Sequence, residues 1–103
     1  MSQKQEIERL ISKLQDEDKD ARASVAWTLG WMVEEEVVDA VPALILALQD
    51  PEPKVRVAVA GALGRMEGVV DPEPTLVRAL QDSNPEVRAA VAVALGGKGA
   101  VTR

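Results

Sequence analysis

The stretch LQDPEPKVRVAVAGALG, from Leu48 to Gly64, decides the fold of this chain because it recurs. An earlier copy, LQDEDKDARASVAWTLG, runs from Leu14 to Gly30, and a later copy, LQDSNPEVRAAVAVALG, runs from Leu80 to Gly96. The copies begin 34 and then 32 residues apart. A period in this range is typical of stacked repeats, which present a surface and do not enclose a pocket. The sequence therefore predicts a binding module.

Each copy also predicts an amphipathic helix. In the second copy, the positions i, i+3, i+4, i+7, i+8 and i+11 form one face of an α-helix and hold Val55, Ala58, Val59, Ala62, Leu63 and Met66. The same spacing in the first copy holds Ala21, Ser24, Val25, Thr28, Leu29 and Met32. We expect both sets to face the core, which must be aliphatic because Trp27 and Trp31 are the chain's only aromatic residues.

A second amphipathic stretch lies upstream of each LQD sequence, so every repeat is predicted to be a helical hairpin. The six predicted helices lie near residues 3–15, 20–32, 38–49, 53–66, 72–81 and 85–97. They make one domain, 1–103, with repeats at about 3–32, 37–66 and 69–97 and a tail at 98–103.

Prolines and caps support these boundaries. Asp71-Pro72 is predicted to be an N-cap followed by proline at the first helical position. Pro42 requires its helix to start at about Asp39, so that the proline lies in the first turn. The extra two residues between the first and second copies are predicted to be a loop insertion at 33–36.

Composition excludes several classes of function. The 103 residues carry a net charge of −5, which disfavours a nucleic-acid partner, since that affinity depends on clustered Lys and Arg. No apolar run approaches the length of a membrane span. Absence of cysteine excludes a disulfide framework and is compatible with a cytoplasmic location. Histidine is absent too, so the commonest general base and metal ligand is missing, and we expect neither an enzyme nor a cofactor.

The pattern LQDPxPxVRxAVAxALG, clearest at Leu48 to Gly64, resembles the HEAT-like repeat first described in phycobilin lyase subunits. This resemblance implies an all-α, right-handed α-solenoid that acts as a scaffold for other proteins. It also implies a ladder of ion pairs and caps between adjacent repeats, formed by Asp16, Asp50 and Asp82 with Arg22, Arg56 and Arg88. The alternative is that these arginines form a row that binds phosphate.

Two acidic segments resemble cation sites only in part. Asp16-x-Asp18-x-Asp20 resembles the opening of a helix-loop-helix calcium site, but the sixth and twelfth positions of that loop hold Ala21 and Trp27 in place of Gly and Glu. The run 34–36 with Asp39 is typical of a solvated acidic loop. We expect no metal at either segment.

Two tryptophans form the candidate binding site. Trp27 and Trp31 share one face of the second helix and lie outside its predicted core set. In the resembling family this face lines the concave surface and varies with the partner. The candidate partner-binding residues, taken from the equivalent positions of all three repeats, are Ala23, Trp27, Trp31, Val57, Gly61, Arg65, Ala89 and Val93. The alternative is that both rings merely cover the N-terminal end of the core.

The last helix lacks the polar outer face that ends most solenoids. From Val87 to Leu95 its only charge is Arg88. We expect a second subunit to cover it, most simply in a two-fold homodimer.

Three hypotheses about function follow. The first is a non-enzymatic module that binds a protein partner, or a second copy of itself, through the concave face. A second is an accessory subunit of a bilin lyase-like complex that attaches a cofactor. The third is a structural repeat building block without a partner of its own.

Overall fold

The computed structural model describes residues 3–32, 35–66 and 73–96, without the side chains of Gln3, Glu35 and Glu36. Over these residues all of the regular secondary structure is helical. The six α-helices are α1 Gln3–Lys13, α2 Lys19–Trp31, α3 Val41–Ala47, α4 Pro53–Arg65, α5 Glu73–Ala79 and α6 Pro85–Leu95, and a 3-10 helix spans Glu35–Ala40. The predicted all-α solenoid of helical hairpins is therefore confirmed.

The largest difference from the predicted boundaries precedes the third helix. The α-helix begins at Val41, later than expected, and the 3-10 helix Glu35–Ala40 occupies part of the predicted loop. Pro42 accounts for this, because a proline ring clashes with the carbonyl group four residues earlier, at Val38, in a continuous α-helix. Pro42 lies in the first turn of α3, as predicted. The predicted cap Asp71-Pro72 lies outside the described residues.

The second helices of the hairpins, α2, α4 and α6, pack side by side with α4 in the middle. Two glycines permit this close approach. A Cβ atom on Gly30 would lie 2.6 Å from the Ala62 Cα atom, and one on Gly64 would lie 2.7 Å from the Ala94 Cβ atom. The second helices therefore form a tight layer whose contacts place glycine on one helix against alanine on the next.

Aliphatic side chains and methionine form the core, as predicted, and no polar residue is buried among the described residues. The largest fully buried side chains are those of Ile7, Leu29, Val37, Leu44, Val55, Val59, Leu63, Met66, Leu76, Val87 and Val91. All three hairpins contribute to this set, so one continuous core runs through the stack.

The expected core face of α2 is partly wrong. Ser24 and Thr28 are exposed, and Ala26 and Gly30 are buried in addition to Val25 and Leu29. The residues of α4 equivalent to Ser24 and Thr28 are alanines, which α2 covers completely. In α2 the same positions face away from the other described repeats, so no helix covers them. The Thr28 hydroxyl instead donates a hydrogen bond to the Ser24 carbonyl oxygen at 3.0 Å.

Candidate protein-interaction site

The repeated arginines connect each repeat to the next. Arg22 donates from Nε and Nη2 to the two carboxylate oxygens of Asp50, at 2.7 and 3.1 Å. Arg56 donates in the same way to Asp82, at 2.8 and 3.1 Å. Both pairs are bidentate, the geometry in which a guanidinium binds a carboxylate most strongly. The ladder of ion pairs implied by the family resemblance is therefore confirmed between adjacent repeats.

The same arginines also hold the turn of their own hairpin. Arg22, Arg56 and Arg88 each donate from Nη1 at 2.7 Å to a backbone carbonyl oxygen, that of Asp16, Asp50 and Asp82 respectively. Arg22 and Arg56 are thus committed to protein acceptors on two sides and are mostly covered. These contacts favour the structural role over the phosphate-binding alternative for both arginines.

Electrostatics within the ladder stabilise the charged forms. The hydrogen bond to Asp50 raises the pKa of the Arg22 guanidinium. Burial by itself raises the pKa of Asp82, but hydrogen bonds from Arg56 and from the Asn84 amide, with the charges of Arg56 and Arg88, bring that pKa below its ordinary value. Asp82 therefore stays ionised at neutral pH.

Three aspartates between α1 and the first turn of α2 act as caps and ion-pair partners. Asp16 accepts a hydrogen bond from the Asp18 amide at 2.8 Å, and Asp18 caps α2 by accepting one from the Asp20 amide at 2.9 Å. Asp20 pairs with Lys54, and their hydrogen bond lowers the pKa of Asp20 and raises that of Lys54. Within the described ranges, no three His, Cys, Asp or Glu residues are grouped to hold a metal. The side chains of the acidic run 34–36 lie outside those ranges.

Trp27 lies against α4 at a position where α4 has no side chain. A Cβ atom on Gly61 would lie 2.6 Å from the Trp27 Cη2 atom and 2.7 Å from its Cζ3 atom. The six-membered ring thus contacts the α4 backbone, while the residue remains 40% exposed. Gly61 is the residue that makes room for this ring.

Trp31 lies one turn further along and pairs with a cation from α4. The guanidinium carbon of Arg65 stands 3.4 Å from the centroid of the Trp31 ring, a close cation–π contact. Trp31 is 63% exposed. We name the surface formed by Trp27, Trp31, Gly61 and Arg65 the tryptophan face.

The other predicted partner-binding residues differ in exposure. Ala23 is buried in the core cluster, so its assignment to an exposed stripe is wrong. Its methyl group does not reach past that cluster, whereas the indole rings one and two turns later do. Val57 is half-buried against the core. Ala89 and Val93 of α6 are exposed, at positions equivalent to Ala23 and Trp27.

Sequence reasoning missed the contacts of Gly30 and Gly64 with the following helix. Their signal was present, because every copy of the repeat ends in glycine. It also missed Leu46, an apolar residue of α3 that is 72% exposed. Leu46 stands out only once the helix is placed, because its neighbours Ile45 and Ala47 are just as apolar but partly covered.

Two grooves separate the first helices of adjacent hairpins. A groove of about 400 Å³ runs between α1 and α3, beside the Arg22–Asp50 pair, and includes Leu46. One of about 450 Å³ runs between α3 and α5, beside the Arg56–Asp82 pair. They occupy equivalent places in successive repeats, so they result from the way in which the hairpins stack.

Comparison with known proteins identifies the family. No helix in the described part of the chain is both long and apolar enough to cross a membrane. A search of curated proteins finds no match. The family model for HEAT repeats matches residues 41–101, which is more than half of the chain. Together with the stacked helical hairpins and their arginine–aspartate ladder, this match shows that the chain belongs to the HEAT repeat family.

Proposed function

We propose that this protein is a non-enzymatic interaction module that binds a protein partner through the tryptophan face, with Ala89 and Val93 extending the surface along α6. HEAT repeats are generally scaffolds for protein interactions. The observation that carries the proposal is the pair of indole side chains, 40% and 63% exposed. Exposed aromatic residues on a rigid backbone are typical anchors of protein interfaces.

The tryptophan face is held in place before any partner arrives. Trp27 contacts the α4 backbone at Gly61, and the Arg65 guanidinium covers one side of the Trp31 ring. Rings fixed in this way lose little side-chain freedom on binding, which lowers the entropic cost of association. These contacts favour an interface role over the alternative that both rings only cover the core.

The exposed indole area sets the expected strength of binding. The uncovered parts of both residues amount to roughly 150–260 Å², and their burial at ~25 cal/mol per Å² contributes about 4–6 kcal/mol before the cost of association. That cost is itself several kcal/mol. The tryptophan face alone therefore supports weak binding, and a tighter complex needs further contacts.

Arg65 indicates the chemistry of one such contact. Among the described residues no carboxylate lies at ion-pair distance from it, and its guanidinium carbon lies over the Trp31 ring. A guanidinium placed over an aromatic ring can still donate N–H groups to a carboxylate. We therefore propose a partner segment that combines apolar side chains with an acidic residue.

The experiment is affinity capture with four versions of the protein: wild type, the double variant Trp27→Ala/Trp31→Ala, Arg65→Gln, and the control Leu46→Ala. The control removes an apolar side chain that is 72% exposed on another surface. Partners that bind wild type and the control, but not the double tryptophan variant, support the proposal. Equal capture by wild type and a folded double variant would refute it. The bilin lyase alternative is tested by the visible spectrum of a bilin, which we expect to be unchanged when the protein is added.

A further inference from the structure

The third repeat leaves uncovered the surface that the first two repeats use to join the next repeat. Arg22 and Arg56 bind the aspartate of the following hairpin, and Ala26 and Ala60 are fully buried. The equivalent residues of α6 are Arg88 and Ala92, and both are exposed. We call this surface the C-terminal edge. It consists of Arg88 and Ala92 together with the exposed apolar residues beside them on α5 and α6, which are Val77, Ala89 and Val93.

Arg88 keeps only one of the three hydrogen bonds that Arg56 makes. Its Nη1 group donates to the Asp82 carbonyl oxygen at 2.7 Å, as Arg56 does to Asp50. Within the described ranges no carboxylate lies at ion-pair distance from it. Arg88 therefore occupies the position that forms an ion pair between repeats, but the described chain supplies no aspartate to complete that pair.

The opposite end of the stack holds such an aspartate. Asp50 and Asp82 each accept a hydrogen bond at 2.9 Å from the amide two residues later, and Asp16 accepts the same bond at 2.8 Å. The Asp16 turn is further fixed by Arg22, which donates to the Asp16 carbonyl oxygen. No arginine among the described residues pairs with the Asp16 carboxylate. Its geometry matches that of the two paired aspartates, and only the cation is missing.

We propose that the C-terminal edge binds the N-terminal end of a second copy of this chain, with Arg88 of one copy bonded to Asp16 of the next. This contact repeats the junctions that Arg22–Asp50 and Arg56–Asp82 make within one chain. It joins two different surfaces, so it extends into a head-to-tail stack and does not close as a pair. By repeat equivalence Val93 adjoins Trp27 of the next copy, which continues the tryptophan face along the stack.

Charge complementarity favours this arrangement over the two-fold dimer expected from the sequence. A two-fold contact sets the C-terminal edge against itself, and that edge supplies no aspartate turn of the kind that binds Arg22 and Arg56 within the chain. The head-to-tail contact gives each Arg88 a carboxylate. Charge pairs of this kind fix the orientation of partners because wrong pairings bring like charges together.

The polar outer surface of α1 is compatible with the stack. Arg9, Ser12 and Lys13 are exposed at the positions where α3 has Ala43, Leu46 and Ala47. Within the chain, however, the junctions are made mainly by the second helices, and grooves of about 400 and 450 Å³ separate the first helices. A polar α1 surface therefore borders a groove in the stack and is not forced into an apolar contact.

One pair of residues opposes the contact and supplies a sharp test. Asp20 pairs with Lys54 of the next repeat within the chain. The residue of α6 equivalent to Asp20 is Glu86, so the junction between copies sets Glu86 near Asp20 of the neighbour. Glu86→Lys replaces this repulsion by an attraction. We expect it to strengthen association severalfold, and Asp20→Asn to abolish that gain.

Sedimentation of the full chain between about 10 µM and about 1 mM tests the proposal, since weak association becomes measurable in this range. We expect the average mass to rise with concentration. Arg88→Asp and Asp16→Arg should each weaken association roughly tenfold or more, and an equimolar mixture of the two variants should restore it. Asp16→Asn provides a milder variant, because its amide oxygen still accepts the Asp18 hydrogen bond. Circular dichroism checks that each variant is folded.

Two outcomes would overturn the proposal. A wild-type chain that stays monomeric throughout this range has no head-to-tail contact. Association that is lost in Val93→Glu but unchanged in folded Asp16→Arg and Asp16→Asn variants would show that the C-terminal edge pairs with itself. Neither outcome depends on the tryptophan face, whose test is the capture experiment with Trp27→Ala/Trp31→Ala.

Discussion

Replacing Arg56 by alanine isolates the energy of one rung of the ladder, because Arg88→Ala is a matched control. Arg56→Ala removes two hydrogen bonds to the Asp82 carboxylate and one to the Asp50 carbonyl oxygen. Arg88→Ala removes only the equivalent carbonyl bond. The difference between the two variants therefore reports the bond between repeats.

The structure sets the magnitude of this difference. The Arg56 and Asp82 side chains are each 12% exposed, so solvent screens the pair only in part. After Arg56→Ala the Asp82 carboxylate keeps the hydrogen bond from the Asn84 amide and loses its guanidinium. A hydrogen bond that involves a charged group contributes about 1.5–3 kcal/mol, and less where solvent competes for it, as at the exposed Arg88. We expect Arg56→Ala to lower the free energy of unfolding by about 2–3 kcal/mol and Arg88→Ala by about 1 kcal/mol or less.

Urea denaturation at low micromolar concentration, where chains do not stack, measures both values. The urea concentration at the midpoint of unfolding should fall, while the slope of the unfolding free energy against urea concentration stays constant. This is expected when stability changes without a change in the unfolded state. Equal losses from the two variants would refute the reasoning, since they would show that the Asp82 pair contributes nothing beyond the carbonyl bond.

Acid supplies a second check on the same rung. Because the pKa of Asp82 is lower in the folded protein than in the unfolded chain, the pair stabilises the fold fully above the ordinary aspartate value of 3.8. This stabilisation is lost as the pH falls through the folded pKa. The gap in unfolding free energy between wild type and Arg56→Ala should therefore narrow below about pH 4. A gap that does not change between neutral and acid pH would show that Asp82 is not the partner that matters.

Three further predictions concern the packing of the second helices. Gly30→Ala should destabilise the fold by roughly 2 kcal/mol or more in thermal unfolding, because the new methyl group meets backbone atoms of Ala62. Gly61→Ala should cost less, because its methyl group meets only side-chain atoms of the Trp27 ring and the helix gains propensity. A comparable loss in both variants would contradict this. Val91→Glu should unfold the protein, as judged by circular dichroism, and Val93→Glu should leave it folded, because Val91 is fully buried and Val93 is 76% exposed. Acrylamide should quench the tryptophan fluorescence of the isolated chain efficiently, and complete protection in a verified monomer would contradict the exposure of the tryptophan face.

The hairpins were predictable from the sequence because they depend on apolar spacing that recurs. The ladder was implied by the resemblance to HEAT-like repeats, and the spacing alone left open a row of arginines that binds phosphate. The ends of the stack were harder to predict. Ser24 and Thr28 occupy core spacing within their helix, yet a residue is covered only if a neighbouring repeat lies on that side. Helical periodicity describes one helix at a time and carries no information about which repeat is first.

The tryptophan face was predicted in outline because its residues lie at positions that recur from repeat to repeat. Trp27 and Gly61, like Trp31 and Arg65, hold equivalent positions in neighbouring repeats, so the stripe that contains them is visible in the sequence. The sequence does not show that Gly61 leaves space for the Trp27 ring or that Arg65 covers the Trp31 ring. Both contacts depend on the distance between α2 and α4, which the Gly30–Ala62 contact sets.

The glycine-to-alanine contacts of the second helices have a mechanical consequence. They form a stiff strip along one side of the stack, where backbones touch and no side chain can yield. On the other side, grooves of about 400 and 450 Å³ leave room for α1, α3 and α5 to move towards one another. We therefore expect the stack to bend more readily towards the grooves than towards the strip. A partner bound along α2, α4 and α6 would change the curvature of the stack by opening or closing the grooves behind it, while the ladder keeps the repeats in register.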